Sequence, residues 1–344
     1  MNRKTLENIL PKIAPLHVNI SITSDCDLRC LHCYGSYGIV KKKLSINYLK
    51  KLFLYLKNQN IIYVTISGGE PTLHPDFKNI INYLDNIELP YCLTTNGLFS
   101  NQLVNKIVES KMLLSVKVSL DGITPLSHTF IRDPKRRNKI IFLKTINTIK
   151  DLTNKNIFVT IGTLVHSKNY NQLLKFPEYL HKLGVNKWVI GPLLQKGRGH
   201  LNKTDIESNA IFKLFCDGFS NKLNKLCDLY NIDLDISDFK RIDGKKYVFE
   251  CGGGIHYYHI SVDKIAYPCP LIEYTKFKPD FSVKLTDPKR VIFVWNSYQF
   301  KYWREQQIIG CPNCKLRSKC GRCPIQLDIL NKNIYDDIDY CLVK

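Results

Sequence analysis

No run of the 344 residues approaches the ~18 consecutive apolar positions that a membrane span needs. The start, MNRKTLENILPK, lacks the apolar stretch of a secretory signal. Both absences predict a soluble, cytoplasmic protein without a membrane partner. Internal repeats and low-complexity tracts are missing too. Acidic residues are scarce, 30 Asp and Glu against 50 Lys and Arg, which leaves a net charge of +20. A basic field of that size attracts polyanions such as nucleic acid or an acidic peptide. Lys greatly outnumbers Arg, however, and Lys, Asn and Ile recur along the whole chain. That is the mark of a general compositional bias, so no nucleic-acid partner is expected.

The length and a 44% hydrophobic content allow a large core and suggest one large domain plus a smaller one. Thirteen cysteines fall into two groups. Three lie between 26 and 33 and seven between 251 and 341, while Cys92, Cys216 and Cys227 stand apart. Close-set cysteines in a large intracellular chain more often ligate metal than form disulfides.

From His17 to Gly191 short β-rich runs alternate with helical segments, the pattern of repeated βα units around a parallel sheet. Six strands are predicted, at His17–Ile22, Tyr63–Ser67, Tyr91–Thr94, Ser115–Leu120, Ile157–Leu164 and Lys187–Ile190. Ser45 can cap a helix whose Ile46, Leu49, Phe53 and Leu56 share one face. With no evident seventh or eighth unit, the reading is an α/β fold, a partial, open (β/α)6 TIM-like barrel. Its boundaries are an N-terminal extension 1–16, the barrel 17–200, a linker helix and connector 201–250, and a small cysteine-rich domain 251–344. Thr204 and Glu207 offer a capping box for that linker helix, and 231–250 reads as a linker.

In such sheets ligands sit at the carboxyl ends of strands, and four motif-bearing loops fall there. Cys26-Asp-Leu-Arg-Cys30-Leu-His-Cys33 presents three thiolates after the first strand. A [4Fe–4S] cubane normally takes four cysteines, so three leave one iron open to a ligand, although a zinc or purely structural site fits the triplet too. Gly68-Gly-Glu-Pro71 follows the second strand, where two glycines allow close backbone approach and Glu70 can meet a positive group. Here the sequence resembles the radical S-adenosylmethionine (SAM) superfamily, over residues 15 to 200. The resemblance implies that Cys26, Cys30 and Cys33 hold the cluster and that Gly68, Gly69, Glu70 and Pro71 cradle the amino group of SAM. It further implies that Thr95, Asn96 and Gly97 match a TNG element and that Ser119 and Asp121 face SAM. Arg132 is placed to pair with the SAM carboxylate, against the plainer reading of a solvated charge in a basic run. His32 stands where Phe or Tyr is usual.

The C-terminal cysteines run Cys251, Cys269, Cys311-Pro-Asn-Cys314, Cys320-Gly-Arg-Cys323 and Cys341. Two CxxC pairs alone would suit a zinc knuckle, and with the basic charge a zinc-binding nucleic-acid protein. The five residues between them are short for a zinc ribbon, and seven cysteines exceed one tetrahedral site. The arrangement resembles the SPASM extension of radical SAM enzymes. That likeness implies one auxiliary cluster on Cys251, Cys269 and Cys323 and a second on Cys311, Cys314, Cys320 and Cys341, three [4Fe–4S] clusters in all. The fourth ligand of the first auxiliary cluster stays open, with His256 and His259 more plainly read as hairpin residues. Asp263-Lys264 forms the turn between Tyr258–Val262 and Ile265–Pro268, and since Lys in a left-handed conformation costs about 1 kcal/mol a different turn type is expected.

SPASM enzymes mostly modify ribosomal peptides, so the resemblance implies a peptide maturase that abstracts hydrogen with a 5′-deoxyadenosyl radical. A flavodoxin- or ferredoxin-type protein would supply the electron. Pro270 after Cys269 speaks against formylglycine formation. Epimerisation would need a hydrogen donor, for which Cys216 and Cys227 are candidates. Their spacing with Phe212, Phe219 and Leu223 is that of a buried helical face, and Cys92 reads as core as well, so cross-linking is favoured. Only about sixteen residues precede the first strand, so a separate leader-recognition protein or direct binding to the barrel is expected. The alternative is a small-molecule substrate such as a tetrapyrrole or cofactor precursor.

Overall fold

The computed structural model describes residues 15–132, 139–202, 206, 219–236, 239–242, 246–249, 251–308, 323, 325 and 328. Two compact units share the chain. One takes Met1–Ser21, Leu44–Val64 and Asp238–Lys344, the other Ile22–Lys43 and Thr65–Ser237. Strand β1 (His17–Thr23) begins in the first unit and ends in the second. Helix α1 (Ile46–Asn58) lies in the first, where the Ser45 hydroxyl accepts from the Tyr48 N–H at its start, as expected.

Strand β2 (Tyr63–Gly68) likewise begins in the first unit and ends in the second, and β2, β3 (Tyr91–Thr95), β4 (Leu113–Ser119), β5 (Val159–Leu164), β6 (Lys187–Gly191) and β7 (Asp233–Ile236) are neighbours in that order. The pairings from β3 to β7 are all parallel. Helices α2 (Phe77–Asn86), α3 (Asn101–Val108), α4 (Pro125–Arg132), α5 (Lys139–Thr153), α6 (Phe176–Lys182), α7 (Arg198–Leu201) and α8 (Ser220–Leu229) lie between the strands in sequence. Helix α2 buries Phe77, Ile80, Ile81 and Leu84, the i, i+3, i+4, i+7 stripe of an amphipathic helix. Full burial of each such side chain stabilises by about 1.5–3 kcal/mol.

The strands have two different faces. On β4, Val116 and Val118 are buried, while Ser115, Lys117 and Ser119 are only half-buried. The interior of a closed eight-stranded barrel is packed with branched apolar side chains. This polar face instead borders a cavity of about 200 Å³, which Lys117, Ser119, Gly162 and Val189 help to line.

Strand β7 corrects the expectation of six strands followed by a linker. Its four residues, Asp-Leu-Asp-Ile, alternate too briefly and too acidically to read as a barrel strand. Beside β6 the acids acquire a reason, since the Lys187 ammonium stands 3.0 Å from Asp233 and 3.6 Å from Asp235. Strands β8 (Phe239–Ile242) and β9 (Lys246–Phe249) form an antiparallel pair in the rest of the supposed linker. The Thr204–Glu207 capping box and Cys216 lie outside the described residues.

In the first unit β10 (Tyr257–Ile260) runs parallel to β1, with Asn19 opposite His259. Antiparallel β11 (Ile265–Tyr267) and then β12 (Val283–Lys284) follow. The β10–β11 turn puts Lys264 in the left-handed region, φ +59°, against the expected turn type. Its ammonium lies 4.8 Å above the Tyr48 ring and its carbonyl accepts from the Leu285 N–H, and these contacts offset the strain. Helices α9 (Val291–Val294) and α10 (Tyr298–Ile308) follow, and the Trp303 indole donates to the Gly253 carbonyl at 2.7 Å. Among the described residues no helix is long and apolar enough to cross a membrane.

Candidate active site

The three-cysteine loop leaves β1 and is held from several sides. The Gly69 N–H donates to the Thr23 carbonyl and the Glu70 N–H to that of Asp25, so the loop after β2 lies directly against the cysteine loop. Close approach explains both glycines. A methyl group at Gly68 would lie 2.2 Å from the Thr23 carbonyl oxygen and one at Gly69 2.2 Å from that of Asp25, and Gly68 has φ +139° besides. The Asn96 amide donates to Asp27 at 2.7 Å and brings in the loop after β3. Arg29 clamps the loop on itself by donating to the carbonyls of Cys26, Leu28 and Gly38.

Glu70 is 1% exposed, yet its carboxylate is well supplied with donors. Oε1 accepts from the Thr72 N–H and hydroxyl and from the Thr95 hydroxyl, and Oε2 from the Asn96 N–H. Burial raises its pKa and these hydrogen bonds pull the other way. Glu70 thereby ties the GGEP and TNG loops together, and Oε2 keeps an acceptor site for a further donor.

Asp121 and Arg132, the latter at the end of α4, form a buried ion pair, Nε to Oδ2 2.6 Å. The plain reading of Arg132 as a solvated charge is therefore wrong, because its side chain is buried against Asp121. Burial alone would raise the Asp121 pKa, but Arg132 brings it below the ordinary carboxylate range. A guanidinium carries five N–H donors, so this pairing leaves others for a second carboxylate. Asp121 is fixed further by the Leu164 N–H on Oδ1, while its carbonyl accepts from the Asn169 amide. Asp121, Arg132, Ser119 and His32 all line the 200 Å³ cavity, and buried His32 Nδ1 has no partner there.

Sequence reasoning missed Arg198, Asn169, His128 and His166. Arg198 donates through Nε to the Cys30 carbonyl and through its backbone N–H to that of Cys33, closing the cysteine loop from beyond β6. Its one signal was Gly197-Arg-Gly, since Gly197 has φ +53° and packs against the Tyr34 carbonyl. Cys227 is buried on α8, as its helical spacing suggested, whereas Cys92 is half-buried beside the Ser115 hydroxyl rather than in the core. In the first unit Gly253 stands between two candidate ligands. Its N–H donates to Cys251 Sγ, and a methyl group on it would lie 3.4 Å from that sulfur and 3.5 Å from Cys269 Cβ. Cys311, Cys314, Cys320 and Cys341 lie outside the described residues.

Residues 20–180 match the model of the Radical SAM superfamily. AlbA, the antilisterial bacteriocin subtilosin biosynthesis protein of Bacillus subtilis (strain 168), is 26% identical over 335 residues, covering 95% of this chain and 70% of AlbA. The AdoMet-dependent heme synthase of Methanosarcina barkeri (strain Fusaro / DSM 804) is 23% identical over 353 residues, 96% and 97% of the two chains. The crystal structure of Streptococcus suis SuiB bound to precursor peptide SuiA aligns with a TM-score of 0.74 at 14% identity, over 98% of this chain and 77% of SuiB, a likeness of fold. Fold and matched segment together define an enzyme built on a parallel α/β sheet. Residues 20–180 carry the radical SAM core, that of a family whose cofactors are SAM and a [4Fe–4S] cluster.

The residues present fit that pair of cofactors. Three soft thiols share one loop, and burial raises Cys26 to about 12 and Cys30 to about 11, so these sulfurs lose their protons only to a strong Lewis acid. Among the described residues no three Cys, His, Asp or Glu side chains converge closely enough to share one metal ion. Thiolates on a cubane sit on different irons and need no such convergence. The neighbouring cavity offers polar groups of both signs.

Proposed function

We propose that this enzyme is a peptide maturase that forms a cross-link in a ribosomally made peptide, with three [4Fe–4S] clusters and SAM. When bound, SAM and the cluster on Cys26, Cys30 and Cys33 supply a 5′-deoxyadenosyl radical that abstracts a hydrogen atom. The observation that carries the reading is the convergence of the CxxxCxxC, GGEP and TNG loops and of Asp121–Arg132 in one unit. Glu70 and the carbonyls of Gly68 and Gly69 would hold the SAM amino group, Arg132 its carboxylate, and Ser119, Thr95 and Asn96 the remaining polar edge. Cys251, Cys269 and Cys323 would hold one auxiliary cluster, and Cys311, Cys314, Cys320 and Cys341 the other, in a SPASM domain from residue 251 onward. The peptide class rests on the likeness to AlbA, named for bacteriocin biosynthesis. A flavodoxin- or ferredoxin-type donor, a separate leader-recognition protein and a cytoplasmic setting complete the proposal. Burial of Cys227, which raises its pKa to about 12, speaks for a core role rather than hydrogen donation and so favours cross-linking over epimerisation.

The test is co-expression with each short open reading frame beside the gene, followed by mass spectrometry. Loss of two hydrogens from a peptide is expected, together with about twelve iron atoms per anaerobically reconstituted chain if each cysteine group holds a cubane. Unchanged mass with deuterium uptake from heavy water would replace cross-linking by epimerisation. The end-to-end match with the heme synthase favours a second reading, a tetrapyrrole or related small molecule. Consumption of such a compound with no change in any neighbouring peptide would establish it instead.

A further inference from the structure

Outside the candidate site the first unit carries a cavity of about 770 Å³, lined among others by Val283, Lys284, Arg290, Ile292, Phe293 and Asn296. Three independent features meet there. Strand β12 ends its sheet, pairing with β11 on one side and with no other strand among the described residues. Such an edge offers backbone donors and acceptors to an added extended chain.

Helix α9 is apolar on both of its faces. Val291 and Val294, three apart, are buried, which turns Ile292 and Phe293 outward at 41% and 67% exposure. Single exposed apolar residues are ordinary, but two adjacent ones lining a cavity mark a binding surface. Charge is the third feature. Among the described residues the lining includes Lys284 and Arg290 and no carboxylate, and neither cation has a carboxylate partner.

From these features we infer that the groove between the β12 edge and α9 docks an extended, acidic peptide segment with alternating apolar side chains. Alternation follows from the strand period, which points every second side chain at Ile292 and Phe293 and the intervening acids at Lys284 and Arg290. The inference deepens the peptide-maturase reading and rests on it: the groove would hold a part of the substrate that is not itself modified.

The probe is a fluorescein-labelled ten-residue peptide alternating Glu with Leu or Phe, titrated into the full-length reconstituted protein by fluorescence polarisation. A matched Lys-for-Glu peptide is the control. Binding of the Glu peptide alone is expected, weakened at least tenfold by Phe293→Ser and by the pair Lys284→Glu and Arg290→Glu, and weakened again by raised salt. These side chains are exposed or half-exposed, and unchanged circular dichroism spectra establish that the variants fold. Equal binding by all variants, or of both peptides, overturns the groove. So does a dimer in sedimentation that Phe293→Ser dissociates while the probe fails to bind, which would make the patch a contact between copies. The two proposals fail separately. A co-expressed peptide modified as well by Phe293→Ser as by the parent enzyme sinks the groove and leaves the maturase. Specific probe binding with no peptide ever modified upholds the groove and sinks the maturase.

Discussion

The residue with most to lose is Glu70, because one buried carboxylate accepts from donors on two loops. Glu70→Gln keeps the volume but turns an acceptor oxygen into an amide that faces either the Asn96 N–H or the Thr72 N–H. A buried donor facing a donor costs about 1–3 kcal/mol. Urea unfolding of the protein as purified should show a lower midpoint at unchanged slope, and reconstitution should load less iron onto the N-terminal cysteines. A midpoint within error of the parent would mean that Glu70 does not brace the loops. Gly69→Ala should do more harm, since its methyl group meets a backbone carbonyl that has no room to move. The sequence displayed the GGEP and TNG motifs, but not that one would be the acceptor for the other. That relation depends on β2 lying beside β3, which residues twenty-five apart do not announce. Arg198 was hidden for the same reason: its partners Cys30 and Cys33 are far away in the chain.

Strands and helices were legible wherever hydrophobic period and length agreed, as in α1 and the alternation of β4, and illegible where an element is short and charged. Strand β7 is the case in point, for its acids make sense only beside Lys187. The β10–β11 turn failed in another way, because the local cost of a left-handed Lys264 was legible and the compensation was not. Relief of that strain in Lys264→Gly should gain about 1 kcal/mol. Losing the ammonium above the Tyr48 ring should cost about 0.5–1 kcal/mol. The two nearly cancel, so Lys264→Gly should leave the thermal midpoint within a few degrees of the parent. Lys264→Val keeps the strain, worsens it with a β-branched side chain and loses the cation, so it should be clearly less stable. If Lys264→Gly were the more damaging of the two, backbone strain would not be the deciding quantity in this hairpin.

Across the whole molecule, five of nine histidines are held neutral, His128, His166 and His259 buried and His17 and His32 partly so. Burial is the largest cause in each case, taking His17, His32 and His166 to about 4 and His128 and His259 to about 3. Above the unfolded value near 6.5 neither state holds the extra proton and these groups leave stability unchanged. Below it the unfolded chain binds protons that the fold refuses, so stability falls as pH drops from about 6.5 toward 4, by up to ~1.4 kcal/mol per pH unit for each histidine. The opposite case is Asp121, whose depressed pKa gives a stabilisation present above the ordinary Asp range and lost as pH falls through its folded value. Its loss therefore begins at lower pH than that of the histidines. An already basic chain gains further charge over the same interval, and self-repulsion adds to the slope. Urea unfolding at several pH values between 7.5 and 4.5 should show a steep loss of stability below about 6.5. His259→Phe keeps a flat buried ring on β10 and removes one titrating group, at the cost of a long 3.5 Å contact with the Ser21 hydroxyl. A packing change displaces stability equally at every pH, whereas a lost proton site changes how steeply it falls. The slope is thus the quantity to read, and His259→Phe should make it shallower by up to ~1.4 kcal/mol per pH unit. If the variant's curve ran parallel to the parent's throughout, His259 would not be held neutral in the fold, and acid sensitivity would have to come from the carboxylates alone.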